Sequence, residues 1–167
     1  MALNVTLKVP YTKKGKQSIM MKEKPVAKME LDLLTRLIVA EAGNQPVEGQ
    51  QAVANVVMNR LNSPLPYLSG GKERNILNVI QNKNAFESYT NKKVFEVDPT
   101  GEQYKIANDI AKKAIEGKLK DNTKGATHFI NPNIVMSRSG KLPSWYYDLE
   151  SRGKIGDHEF FYEGIRK

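Results

Sequence analysis

The stretch LIVAEAGNQPVEG, residues 37–49, sets a four-residue apolar run directly against a carboxylate, Glu41, and carries a second one, Glu48, just past a Gly-Asn-Gln-Pro turn. Upstream, from Glu30 to Ala42, apolar residues recur at helical spacing, and Gly43 follows as a helix-ending glycine. Downstream, Pro46 suits the first turn of a second helix, with Glu48 in that turn and Val53, Ala54, Val57, Met58 and Leu61 as its inward stripe. On a wheel of about 100° per residue, Leu31, Leu33, Leu34, Leu37 and Ile38 build one face of the first helix, and Asp32, Thr35 and Arg36 fall opposite. Glu41 lands on the apolar face, one turn beyond Leu37.

An inward carboxyl at the end of a helix is disfavoured as an anion twice over. Burial removes its hydration, and the negative end of the helix dipole opposes a further negative charge. Such a group can titrate near pH 6, roughly, rather than at about 4.3, which suits a general acid at neutral pH. Spacing alone leaves a second reading open, in which Glu41 bends back to water or pairs with a lysine. Glu48 reads differently: a glutamate in a first turn is stabilised by the dipole and can cap free N–H groups.

The 167 residues, 40% of them apolar, suffice for one domain with a core. A formal charge of +8 draws the protein toward polyanions, such as nucleic acid, anionic lipid or anionic wall polymers. Dispersed lysines and the lack of a basic-aromatic motif count against nucleic acid. The absence of cysteine excludes disulfides, thiolate metal sites and a cysteine nucleophile. His128 and His158 share no metal-ligand spacing, so no metal and no cofactor is expected. Nor is there a phosphate-binding glycine loop or a G-x-S-x-G nucleophile motif. No window reaches the roughly 18 apolar residues of a membrane span, and the N-terminus lacks a signal-peptide core. The expectation is a monomer made in the cytoplasm.

Along the chain, Leu3, Val5, Leu7 and Val9 alternate with polar residues as in a half-buried strand. Lys13-Lys14-Gly15-Lys16 would turn it back into a return strand over Gln17–Met21. Residues 1–28 thus read as an extension, a candidate β-hairpin, ahead of a main domain over 29–167. Ser63-Pro64-Leu65-Pro66 breaks the second helix, and a short helical stretch surrounds Ile76–Ile80. Asp98-Pro99 reads as an N-cap with proline at the first helical position, opening an amphipathic helix that stops near Gly117. The last third, with aromatics around Ala126–Ile130, Trp145–Tyr147 and Asp157–Tyr162, reads as short strands and loops. The class is α+β, mainly helical with a small C-terminal β region.

The run Leu33 to Pro64, with Glu41-Ala42, Glu48-Gly49-Gln50 and Asn59-Arg60, strongly resembles the opening of the catalytic domain of spore-cortex-lytic, SleB/CwlJ-type cell-wall hydrolases. The similarity continues at Val79-Ile80-Gln81, Ala85-Phe86, Asn131-Pro132, Trp145-Tyr146 and Lys154 to Phe160, covering about residues 30–162. The resemblance implies a lysozyme-like or lytic-transglycosylase-like fold. It also implies cleavage of peptidoglycan glycan strands between N-acetylmuramic acid and N-acetylglucosamine. By carry-over, Glu41 is the catalytic acid, which then acts as base toward the muramoyl 6-hydroxyl and closes a 1,6-anhydro ring. Hydrolysis is the alternative outcome and needs a second carboxylate; Glu48 and Glu87 are candidates, with Asp148, Glu150 and Asp157 behind them. Where relatives often carry Glu-Ala-Arg-Gly-Glu-Pro, this chain has Glu41-Ala42-Gly43-Asn44-Gln45-Pro46, and its Gln81 to Glu87 loop also departs from the family pattern.

Candidate substrate contacts are Phe86, Trp145 and Tyr146, with Tyr89 and Tyr147, whose rings could stack on sugars or equally serve the core. Asn131 could hold a turn before Pro132 or bond an acetamido group. Asn59 lies on a polar helix face with Gln51, Asn55 and Asn62, ordinarily solvent, yet matches the family. His158 reads as a residue pinning a strand to the core. Such an enzyme would reach the wall by holin-dependent release, as a phage endolysin does, or as a virion- or spore-associated protein. The competing class is a non-catalytic, basic wall-glycan-binding module in which Glu41 is structural.

Overall fold

The computed structural model describes the backbone of residues 13–165 and the side chains of residues 25–165. Helix α1, Lys13–Ala42, runs through Pro25 without interruption. The return strand expected over Gln17–Met21 is therefore helical, and the first strand of that hairpin lies outside the described residues. Lys, Gln, Met and Glu dominate residues 13–24 and favour helix, with Ile19 the single β-branched residue. Pro25 has no N–H to give to the helix and its ring crowds the preceding turn, a local cost that the long helix carries.

The apolar stripe of α1 lands as its spacing requires, with Leu34, Leu37, Ile38 and Ala42 fully buried. The opposite face is covered too. Thr35 is fully buried, donating from Oγ1 to Leu31 O at 2.7 Å and accepting from Asn108 Nδ2 at 3.2 Å. Asp32 takes the Nε–H of Arg36 and the hydroxyl of Tyr104 at 2.6 Å, while Arg36 Nη1 reaches the carbonyls of Val94 and Val97. Each member of the polar stripe has a hydrogen-bonding partner elsewhere in the chain, although Asp32 still reaches solvent.

Helix α2, Val47–Leu61, starts directly after Pro46 and is buried on two sides. Val53, Ala54 and Val57 join the helical core with α1, and Ala52 and Val56 pack against Ala126 and Phe160 of the β region. Short helices α3 (Pro66–Ser69), α4 (Ile76–Gln81) and α5 (Glu87–Thr90) follow, then a 3₁₀ turn over Lys93–Glu96. Helix α6, Glu102–Ile115, buries Ala107, Ile110, Ala111 and Ala114. Its cap is Gly101, and the expected Asp98 N-cap is displaced: Asp98 Oδ1 accepts from the N–H and the hydroxyl of Thr100, closing a local turn before the helix begins.

Strand β1 (His128–Ile130), helix α7 (Pro132–Ser139), the single turn α8 (Trp145–Asp148), and strands β2 (Glu150–Ile155) and β3 (His158–Tyr162) complete the order. The sheet is antiparallel in the order β1-β3-β2, with His128 opposite Phe161 and a bulge in β2 between Ser151 and Gly153. Two helices thus stand where loops and strands were expected. Asn131 caps α7 by accepting from Ile134 N, with Pro132 following, and Trp145-Tyr146-Tyr147 is helical because its aromatics pack sideways on Phe161. The α+β class holds, and among the described residues no helix is long and apolar enough to cross a membrane.

The polar face of α2 is where the fold departs most from expectation. Asn55 and Asn59 do not face solvent. Asn55 Nδ2 donates to Lys120 O and Asn122 Oδ1, and Asn59 Nδ2 sits within bonding distance of Asp121 Oδ2, Thr123 Oγ1 and Ala126 O, the last at 2.9 Å. Together they fasten the segment 116–127 onto α2. Replacing Asn59 with Ala leaves those acceptors short of a donor and is expected to lower unfolding stability by about 1–3 kcal/mol, measured as a reduced urea midpoint with an unchanged slope.

Candidate active site

Glu41 lies in the last turn of α1, where the apolar stripe runs out, and its carboxyl forms part of the floor of a cleft of about 500 Å³. One wall comes from Asn44, Gln45 and Arg60, the next from Phe86, Glu87 and Ser88. The far side comes from Phe129, Asn131, Ile134, Arg138, Trp145 and His158. Glu41 is partly accessible, and it lines this cleft.

One carboxyl oxygen is held twice. Glu41 Oε2 accepts the Ser88 hydroxyl at 2.6 Å and the Ser88 backbone N–H at 3.1 Å. That N–H belongs to the first turn of α5, where helix donors have no partner within the helix. Burial raises the Glu41 pKa above its ordinary value; the two Ser88 bonds counteract this, the neighbouring Glu87 adds to it, and the Arg60 charge opposes it. Burial is the largest of these effects, so the protonated form persists to higher pH than in an ordinary glutamate. With Oε2 occupied by two donors, the proton of the neutral acid belongs on Oε1.

Arg60 is 7% exposed, with Nε donating to Thr127 O at 2.6 Å and its guanidinium 4.7 Å from the centre of the Phe86 ring. Burial lowers its pKa to about 10, against the attraction of Glu163 and Glu41, and it remains a cation at neutral pH. His128, stacked against Trp145 at 5.1 Å, is pushed down to about 4 by burial and by Arg60. It is neutral at pH 7, so its 3.7 Å approach to Glu163 is not an ion pair. His158 is also lowered by burial, and its buried Nδ1 has no hydrogen-bond partner among the described residues.

The cleft gathers Glu41, Glu87, Phe86, Asn131 and Trp145 and leaves out the other candidates. Glu48 is exposed at the start of α2, away from the cleft lining. Asn59 is occupied in holding segment 116–127. Tyr146 points its hydroxyl at Glu159 Oε1, 2.8 Å away, and packs on Phe161. Phe86 is 3% exposed and contributes mainly to the core, while Asn131 is engaged as the α7 cap. Glu87 is bound to Arg138 Nη1 at 2.9 Å, both side chains well exposed. Among the described residues no group of three or more acidic or histidine side chains is placed to hold a metal ion.

Ser88 and Arg60 escaped the residue-by-residue reading. Ser88 follows Glu87 in a segment without periodicity, and a serine carries no pattern of its own. Arg60 was visible only as half of an Asn-Arg pair.

The sequence model of the Cell Wall Hydrolase family matches residues 44–161, starting just after Glu41. The spore cortex-lytic enzyme of Halalkalibacterium halodurans is 29% identical over 133 residues, covering 78% of this chain and 34% of that protein. The Bacillus subtilis enzyme of the same description is 28% identical over 133 residues, 78% of this chain and 37% of the relative. The chain thus spans about a third of the length of these relatives. Among solved structures, the catalytic domain of the germination-specific lytic transglycosylase SleB from Bacillus anthracis superposes with a TM-score of 0.61. The identity there is 23%, over 80% of this chain and 93% of that one. The catalytic domain of the Bacillus cereus SleB protein gives 0.61 at 21% identity, over 97% and 100%. The α+β fold is that of these domains.

The raised pKa has a thermodynamic consequence with a definite sign. Between its ordinary value of 4.5 and its higher folded value, Glu41 binds its proton more tightly in the folded state. Stability attributable to it therefore falls as pH rises through that window and stays lowered above it. Replacing Glu41 with Gln is expected to raise the melting temperature at pH 7–8, roughly, and the gain is expected to vanish below about pH 4.5. Thermal melts across pH measure it.

Proposed function

The chain belongs to the Cell Wall Hydrolase family, and from that premise we propose that it cleaves the glycan strand of peptidoglycan as a lytic transglycosylase, with Glu41 as acid and then base. The observation that carries this reading is the state of the Glu41 carboxyl: desolvated on the floor of an open cleft, gripped through Oε2 by Ser88, and free at Oε1.

The chemistry follows from that arrangement. Oε1–H gives its proton to the glycosidic oxygen between the muramoyl and glucosaminyl residues as the bond from muramoyl C1 to that oxygen breaks. The departing sugar leaves as an alcohol. Glu41, now a carboxylate, takes the proton of the muramoyl 6-hydroxyl as O6 bonds to C1, and the acid is regenerated. Burial favours the first half, because the group begins protonated. The Ser88 donors and the Arg60 charge stabilise the carboxylate that this proton transfer creates, and burial, which raises its proton affinity, makes that carboxylate a base for the second half.

Water has no prepared base here. Glu48 lies off the cleft, and Glu87, the remaining acidic candidate on its lining, is paired with Arg138. Hydrolysis remains the second reading on one observation, that Glu87 shares the cleft with Glu41 and could serve if Arg138 released it. The basic composition also favours retention on anionic wall polymers.

Purified protein is expected to clear a peptidoglycan suspension, and Glu41→Gln to abolish clearing while leaving circular dichroism unchanged. Mass spectrometry of the fragments should find 1,6-anhydromuramoyl ends; reducing muramoyl ends would assign hydrolysis. A folded protein that binds walls without releasing fragments would instead mark a binding module. Ser88→Ala should lower the clearing rate by about tenfold or more. It should also move the alkaline limb of the pH–rate profile upward, since Glu41 loses the hydroxyl donor that favours its ionised form and keeps only the backbone N–H of residue 88.

A further inference from the structure

The turn between α1 and α2 meets the turn between β2 and β3 through Gln45 and Asp157. Gln45 is 8% exposed. Its Nε2 donates to Asp157 Oδ2 at 3.0 Å, and its Oε1 accepts the Asp157 backbone N–H at 2.9 Å. The backbone and Cβ of Gln45 are confined as well, and so is its amide oxygen. Gln50 Nε2 donates to the Gln45 carbonyl at 3.2 Å, a Cβ at Gly49 would come within 3.0 Å of Gln45 Cβ, and a Cβ at Gly156 would run into Gln45 Oε1. Gly156 also has φ of +61°, so its backbone already sits where glycine is favoured.

The two ends of this clasp carry opposite parts of the cleft. Gln45 follows Glu41 by four residues, and Asp157 precedes His158 by one; Glu41, Asn44, Gln45 and His158 all line the opening. We propose that Gln45 and Asp157 are positioning residues, a charge-matched clasp that fixes the Glu41 side of the cleft against the His158 side. The inference rests on the glycan-cleavage reading above.

The identity of residue 45 follows from the partner. A side-chain amide presents N–H donors on one side and an acceptor oxygen on the other, which is what a carboxylate beside a backbone N–H requires. A glutamate at 45 would here set two carboxylates about 3 Å apart, one of them on a side chain only 8% exposed while Asp157 itself reaches solvent. One of them would have to take up a proton or swing away. The glutamine at 45 is therefore matched to Asp157. An asparagine at 157 would restore the complementarity in reverse, its Nδ2 donating to a glutamate at 45 while the backbone N–H still donates as before.

The test is a charge-exchange cycle of Gln45→Glu, Asp157→Asn and the double variant. Urea midpoints are read together with kcat and KM on soluble, uncross-linked glycan chains at pH 7. Gln45→Glu is expected to lower kcat by about tenfold or more, since small misplacements near a reacting group are costly, with near-ultraviolet circular dichroism of the single tryptophan retained. The double variant should return to within about threefold of the wild type, in rate and in urea midpoint. Asp157→Asn alone should lose less than about threefold, because its Oδ1 still accepts from Gln45.

Full activity in Gln45→Glu, or a double variant no better than that single one, would overturn the clasp. So would an Asp157→Asn variant as slow as Gln45→Glu with unchanged stability, which would make Asp157 a catalytic carboxylate. Should Gln45→Glu be unfolded at pH 7, recovery of both folding and turnover in the double variant supports the proposal, and failure to recover rejects it. If the wild type itself releases no fragments, the glycan-cleavage reading fails separately; the urea cycle then still decides the clasp, with additive midpoints rejecting it.

Discussion

The cleft is organised around the cost of placing a carboxyl where water is scarce. Glu41 sits at the end of an apolar stripe, so the forces that bury Leu34, Leu37 and Ile38 carry its side chain inward as well. Desolvation alone would favour the protonated acid still further. Ser88 and Arg60 moderate that, the first by two directed hydrogen bonds and the second by a buried charge, so both protonation states are accessible. The balance is between a non-directional effect from helix packing and directional ones from a separate short helix. Any shift of α5 relative to α1 would therefore change the proton affinity of Glu41 before it changed the shape of the core.

Helix α2 makes that relationship rigid. It is the layer shared by the helical core and the sheet, with apolar residues on both sides and amide side chains bonded to backbone carbonyls between them. Arg60, near its end, links the two halves chemically: Nε bonds to Thr127 at the edge of the sheet while the guanidinium lies over Phe86 of the helical core. A buried arginine without an ion-pair partner is costly by itself. The carbonyl and the aromatic ring offset part of that cost, and the remaining field falls on Glu41 and Glu163.

The fold class, the break between α1 and α2, the stripe on each of them and the inward direction of Glu41 were all readable along the chain, because helical periodicity is a local property. Local reading failed where a polar residue had a distant partner. Thr35 and Asn59 both look like solvent-facing residues on a wheel; one is buried under α6 and the other fastens a loop more than sixty residues away. The aromatic cluster Trp145–Tyr147 suggested strands, yet a helical turn lets Trp145 and Tyr146 lie on Phe161. In each case a hydrogen bond or ring contact across the chain overrode an intrinsic preference.

By itself, then, the sequence determined that an acidic residue closes an apolar helix and that a second helix follows a proline-ended turn, since both depend on spacing within a dozen residues. Tertiary structure alone decided which groups surround that acid. Ser88 comes 47 positions later and Asp157 lies 112 beyond Gln45, and nothing in the spacing of either announces the encounter. Proton affinity is set by what stands within a few ångströms in space, and that neighbourhood exists only once the chain has packed.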